Sequence, residues 1–118
     1  MFNPADFLTL AQTLSAATTD EARLRTSVSR SYYACFLSAR ERLAASGSYV
    51  PTGRGEDHYN VRRVLADTGY RVLSDQLLGL SRKRRTADYE LGTRVSPIDA
   101  KKAARIAKPL ITRIQGIA

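Results

Sequence analysis

The residues with chemistry to offer are a cluster of arginines, one histidine and a few tyrosines. Residues 82–91 read RKRRTADYEL, four cations followed shortly by an aspartate and a tyrosine. On a helix, counting about 100° per residue from Leu73 carries Leu77, Leu80, Arg84, Ala87, Asp88 and Leu91 along one stripe about 100° wide. The same count puts Arg82, Arg85 and Tyr89 on the other side. Arg84 and Asp88 are four residues apart and can meet. A cation on an apolar face is costly unless it is paired. Two readings follow: a structural ion pair that fixes helix packing, or a site in which a held arginine waits at the base of a cleft for an anion.

The single histidine, His58, stands in GRGEDHYNVRR, where a helix is expected to begin. The partial positive charge of a helix start disfavours an imidazolium there. One His and one Cys cannot close a zinc site. Cys35 lies among aromatic residues and reads as a small core residue. Its lack of a partner excludes an internal disulfide and suits a reducing, cytoplasmic setting. There is no Gly-rich phosphate loop, no defensible Ser–His–Asp order and no metal-ligand spacing. Neither cofactor nor metal is therefore expected.

With 118 residues, 43% hydrophobic and 25% charged, the chain has the composition of a single folded domain, residues 1–118. The net charge of +8 favours an acidic partner, nucleic acid first. The N-terminal MFNPADFLTL lacks the pattern of a signal peptide, and no apolar run is long enough for a membrane span.

The elements that must position these residues read as helices. The first is expected from Asn3 or Pro4 to Ala17, with Phe7, Leu10, Ala11 and Leu14 on its apolar face. The second, from Thr19 to Ser46, carries a core stripe of Leu24, Val28, Tyr32, Cys35, Phe36, Ala39 and Leu43. It also carries a second face with Arg30, Tyr33 and Leu37, which predicts dimerisation through that face. GSYVPTGRG, residues 47–55, reads as an exposed loop. A third helix is expected over Glu56–Gly69, and a fourth over Arg71–Leu91 with Gly92 as its stop. Ser96, Pro97 and Asp99 mark the start of a fifth. Pro109 should kink that helix or split off its last turn. Its inner stripe is Ala103, Ile106, Ala107, Leu110 and Ile114; Lys101, Lys102, Arg105, Lys108 and Arg113 face the other way. That basic face is either merely solvated or a phosphate contact, joined by Arg62, Arg63 and the run Arg82, Lys83, Arg85. No strand pattern occurs, so the expected fold is an all-α up-and-down bundle of four or five helices.

Two stretches resemble the HEPN superfamily. SRSYYACFLSARERL, residues 29–43, is similar to its second helix, with an Arg-x-Tyr-Tyr-Ala-x-Phe pattern. RRTADYEL, residues 84–91, is similar to the Arg-x-x-Ala-Asp-Tyr signature of one branch, and His58 falls where that branch often has a His. The resemblance spans roughly residues 20 to 91. It implies a homodimeric helical bundle with polar residues facing a shared cleft, and matches Arg30, Arg84, Asp88 and Tyr89 to motif positions. It further implies either a metal-independent endoribonuclease, of the toxin type found in toxin–antitoxin or defence systems, or a non-catalytic module. Such a module would bind RNA, a nucleotide or a nucleotidyltransferase-type antitoxin partner. Active members carry a His after the motif Arg, with four to six residues between the two. Here those positions hold Tyr89, Glu90 and Leu91, and His58 is the substitute another segment can supply.

Two function classes result. In the first, an RNA-directed protein uses Arg84 against phosphate charge, with Tyr89 or His58 handling protons and Asp88 holding Arg84. Arg30, Arg82, Lys83, Arg85, Lys101, Lys102 and Arg105 would bind the RNA backbone. In the second, an interaction module uses the Arg84–Asp88 pair for structure alone.

Overall fold

α2 organises the molecule. It spans Glu21–Ala45, which makes about 38 Å of helix at roughly 1.5 Å per residue. It nearly fills the 42 Å long axis of the computed structural model, which describes all of residues 1–118. Around it pack α1 (Asp6–Ser15), α3 (Glu56–Asp67), α4 (Arg71–Tyr89) and α5 (Pro97–Gln115), giving an all-helical bundle without strands. α2 touches every other helix; α3 also lies against α4, and α5 against α1 and α4.

The seven residues expected on the α2 core stripe are all buried. Small residues let its neighbours approach closely. The Ser27 hydroxyl donates to the Ala11 carbonyl of α1 at 2.6 Å, and the Cys35 thiol faces the Ala107 carbonyl of α5 at 3.6 Å. Ala100, Ala103, Ala104 and Ala107 supply the matching low ridge on α5. Burial pushes the Cys35 thiol up to about 12, so it stays protonated and unreactive.

Helix ends follow local chemistry. Asp20 caps α2 by accepting from the Ala22 N–H at 3.0 Å, and Ser96 with Asp99 forms a reciprocal capping box on α5. α2 and α3 close on Gly47 and Gly69 at φ +78° and +98°, where the following N–H reaches back to Leu43 and Leu65 respectively.

Four expectations need correction. α1 buries Leu8, Ala11 and Ser15, while Leu10 is 43% exposed. It stops at Ser15, where Ala16 turns extended at ψ 128° and Ala17 takes the left-handed conformation at φ +46°. α4 ends at Tyr89 rather than at Gly92, leaving Leu91 82% exposed and off the stripe. The cause is Arg25 on α2, whose guanidinium donates to the carbonyls of Thr86 and Ala87 in the last turn and to those of Glu90 and Thr93 just beyond it, and so holds the chain in its turn away from the helix. Finally, α5 runs through Pro109 without splitting. Pro109 and Arg105 are both on the exposed side, so the carbonyl that loses its N–H partner can turn to water.

Candidate functional site

Three helices bring a group of cations and rings together. α2 presents Ser29, Arg30, Tyr32, Tyr33, Phe36 and Arg40; α3 presents His58 and Arg62; α4 presents Arg84, Asp88 and Tyr89. The i, i+3, i+4 spacing of Arg30, Tyr33 and the Tyr32–Phe36 pair puts rings and cations side by side along α2.

Arg84 is the centre. It is only 9% exposed, and its guanidinium carbon lies 5.4, 5.6 and 5.8 Å from the rings of Tyr32, Tyr33 and Tyr89. Its Nη1 meets Asp88 Oδ2 at 3.5 Å. Its Nε is buried and has no hydrogen-bond partner. Such an orphaned charged donor is costly in a structural residue and natural in one that waits for an anion. The count along α4 puts Asp88 on the core stripe; instead its side chain is 28% exposed, and it also accepts from the Ser29 hydroxyl at 3.3 Å. The pair therefore differs from a buried salt bridge. Tyr89, placed on the far side by the same count, is 70% exposed yet keeps its ring against Arg84.

Arg30 lies 4.7 Å from the Tyr33 ring and 5.0 Å from Phe7 of α1. Tyr33 thus sits against two arginines, an arrangement that the negative face of a phenol ring supports. α1 covers part of the second face of α2; Tyr33 and Leu37 remain half-buried beside it.

His58 is packed on its ring faces. Phe36 stacks on it at 4.2 Å with planes 15° apart, Tyr32 lies at 5.7 Å and 19°, and Tyr33 meets it edge-on at 5.9 Å. The Tyr32 hydroxyl is 2.5 Å from His58 Nδ1. Burial lowers the His58 pKa below its ordinary 6.5, and the nearby Arg84 and Arg62 lower it further, against a weaker opposing pull from Asp57. Burial raises Tyr32 to about 12, partly offset by the Ser81 hydroxyl and by Arg62 and Arg84. The centre thus gathers four arginines, Arg30, Arg40, Arg62 and Arg84, around His58 and Tyr33, with Asp88 against Arg84.

The start of α3 is fixed from below. Asp57, 2% exposed, accepts from the Tyr49 hydroxyl, from the N–H and hydroxyl of Thr52 at 2.9 Å each, and from the Gly53 N–H at 2.9 Å. Burial alone would raise this carboxyl, but the hydrogen bonds win and hold it well below the usual range. The neighbouring residue is His58, so this latch on loop 47–55 also sets where His58 stands.

The other expected nucleic-acid contacts lie apart from this centre. Arg82 and Arg85 are exposed on α4. Arg82 and Lys83 line a cleft of about 290 Å³ with Arg94 and Asp99. Lys101 and Arg105, with Lys108, line a second cleft of about 540 Å³ against the end of α1, while Lys102 is exposed on the same helix. No group of three or more His, Cys, Asp or Glu side chains converges on a point that could hold a metal ion. Arg84, His58, Asp88, Tyr89, Arg30 and Tyr33 are thus brought together; the basic face of α5 is a separate surface. Sequence reasoning assigns Tyr32 and Phe36 to the core and gives no role to Asp57 or Ser29, because the partners of Tyr32, Phe36 and Ser29 lie on other helices and those of Asp57 on the loop before α3.

Comparison with family models, with curated proteins and with solved structures finds no match to this chain.

Proposed function

We propose that this chain is an HEPN-type, RNA-directed protein, and that the Arg84 centre binds a phosphate of single-stranded RNA. One observation carries the reading: a buried arginine ringed by three tyrosines, with an unpartnered Nε, beside an uncharged histidine. Single-stranded RNA is bound by this combination of cations for the backbone and aromatic faces for the bases. The exposed rim residue Tyr89 offers such a face. Lys101, Lys102 and Arg105 supply a sequence-independent second contact on α5. Ribonuclease chemistry without metal would use the RNA 2′-hydroxyl as nucleophile, with Arg84 against the phosphorane charge and the proton passing through Tyr89 or His58.

The test is a titration of a labelled single-stranded oligoribonucleotide at several salt concentrations, with a cleavage assay in chelator alongside. Binding should weaken steeply with salt. Replacing Lys101, Lys102 and Arg105 with Ala should reduce the slope of log affinity against log salt by about 2, at roughly 0.7 for each phosphate of the strand that is no longer neutralised. An unchanged slope would make the α5 face a solvated one.

A second reading rests on Tyr89 and Leu91, exposed 70% and 82% at the end of α4. In it the centre anchors a protein, a nucleotidyltransferase-type antitoxin, instead of RNA. Absence of RNA binding at low salt would favour it.

In either reading the chain acts as a homodimer, joined through the face of α2 that carries Tyr33 and Leu37. Light scattering at micromolar concentration should give twice the chain mass. Leu37→Asp should shift it to the monomer mass with the helical circular-dichroism signal largely kept; a wild-type monomer would contradict the proposal.

A further inference from the structure

The Tyr32 hydroxyl is buried, with His58 Nδ1 at 2.5 Å and the Ser81 hydroxyl as a second polar neighbour. Either oxygen or nitrogen could hold the shared proton, but the choice has consequences. Donation by the phenol is the stronger of the two directions, because a phenolic O–H is a more acidic donor than an imidazole N–H and an imidazole nitrogen is the better acceptor. The Ser81 hydroxyl can then donate to the phenolic oxygen. Donation from Tyr32 to Nδ1 satisfies both groups and leaves the imidazole proton on Nε2. The stacked rings of Phe36 and Tyr32 prevent the ring from turning to exchange its nitrogens.

We propose that Tyr32 is a positioning residue that holds His58 as its Nε2–H tautomer, so that His58 serves as a neutral hydrogen-bond donor to phosphate and not as the base that takes a 2′-hydroxyl proton. The donor role rests on the RNA reading above; the tautomer does not. A base at this position would need a free lone pair. Nδ1 has given its lone pair to Tyr32, and Nε2 carries the proton. The charged and titratable groups around the ring agree. Arg84 from α4, Arg62 from α3 and Arg40 from α2 all disfavour a second proton, and only Asp57 from α3 opposes them. Tyr33 meets the ring by its edge. The centre that results is rich in donors and poor in bases, a composition suited to holding a phosphodiester.

Nitrogen-15 NMR of histidine-labelled protein tests the tautomer directly. At neutral pH the wild type should show one protonated nitrogen, Nε2, with Nδ1 shifted as a hydrogen-bond acceptor. Tyr32→Phe keeps the ring and removes the donor; it should return Nδ1 to the position of a free nitrogen and let both tautomers appear. A wild-type Nδ1–H signal, or a Tyr32→Phe spectrum identical to wild type, would overturn the assignment. The donor role is read with a fluorescent oligouridylate. His58→Gln, which keeps an N–H near the Nε2 position, should bind within about threefold of wild type, whereas His58→Phe should bind about tenfold more weakly. Affinity should stay flat from about pH 8 to about pH 6, since a neutral donor is not gained by acidification. Affinity that climbs on acidification would show a cation at work and overturn the donor role. An Nε2–H spectrum in a protein that binds no oligouridylate overturns the donor role and the RNA reading, and leaves the Tyr32 assignment standing.

Discussion

Arg84→Ala should fold, melt within about 4–8 °C of wild type and lose RNA affinity by about 10- to 100-fold. The stability side follows from what the residue touches. The Asp88 side chain is 28% exposed and shared with Ser29, so losing Arg84 does not strand a carboxylate in the core. An ion pair exposed to that degree contributes little, about 0–1 kcal/mol. The three tyrosine rings against the guanidinium contribute roughly 0.5–1 kcal/mol each. Removing a buried Nε without a partner recovers part of that. A net cost of about 1–2 kcal/mol corresponds to the stated shift in a domain of this size. The affinity side follows from charge-assisted hydrogen bonds to phosphate, about 1.5–3 kcal/mol each. A purely structural pair predicts the reverse pattern: a loss of about 3–5 kcal/mol, restored when Arg84 and Asp88 are both made apolar. Thermal melting beside the RNA titration separates the two.

Asp57→Ala should cost about 2 kcal/mol, or about 8 °C in melting temperature. It removes the acceptor of four hydrogen bonds; Thr52 and Gly53 are exposed and can turn to water, but the half-buried Tyr49 hydroxyl and the ordered loop lose their anchor. The pH dependence has a fixed sign. A carboxyl held below its ordinary 3.8 stabilises the fold fully above that value, and the stabilisation is lost as pH falls beneath it. Wild type should therefore lose stability below about pH 4 by more than the variant does. His58 adds a separate window: its pKa is lowered in the fold, so its share is present above its ordinary 6.5 and declines as pH falls below that. A melting curve for Asp57→Ala that matches wild type from about pH 7 down to about pH 3 would show that the latch holds nothing.

The helices are legible because apolar spacing reports which face of each helix is buried. The α2 stripe from Leu24 to Leu43, the Ser96–Pro97–Asp99 start of α5 and the Gly69 stop all depend on residues within one turn of each other. Errors arise where a distant residue decides. α4 stops short of Leu91 because Arg25, far earlier in the chain, holds the turn at its end. Burial of Arg84 can be read from its angle on the leucine stripe. The exposure of Asp88 cannot, since it lies at the edge of that stripe near the helix end, where no neighbour covers it. His58 is visible as the only histidine, but its bond to Tyr32 joins residues 26 apart on two helices, and no local pattern encodes that. The Asp57 latch is similar: a first-turn aspartate looks like ordinary helix-dipole compensation until the loop is seen to fold back on it.

The most direct measurement watches the Arg84 Nε–H resonance in nitrogen-15-labelled protein during titration with oligouridylate, with the signal assigned from the Arg84→Ala variant. The buried, unpartnered Nε–H should shift in proportion to bound RNA and saturate with it, together with the amides of Tyr33, His58 and Tyr89. An Arg84 signal that stays in place at saturating RNA, while only amides between Lys101 and Lys108 move, would contradict a phosphate site at Arg84 and leave α5 as the binding surface.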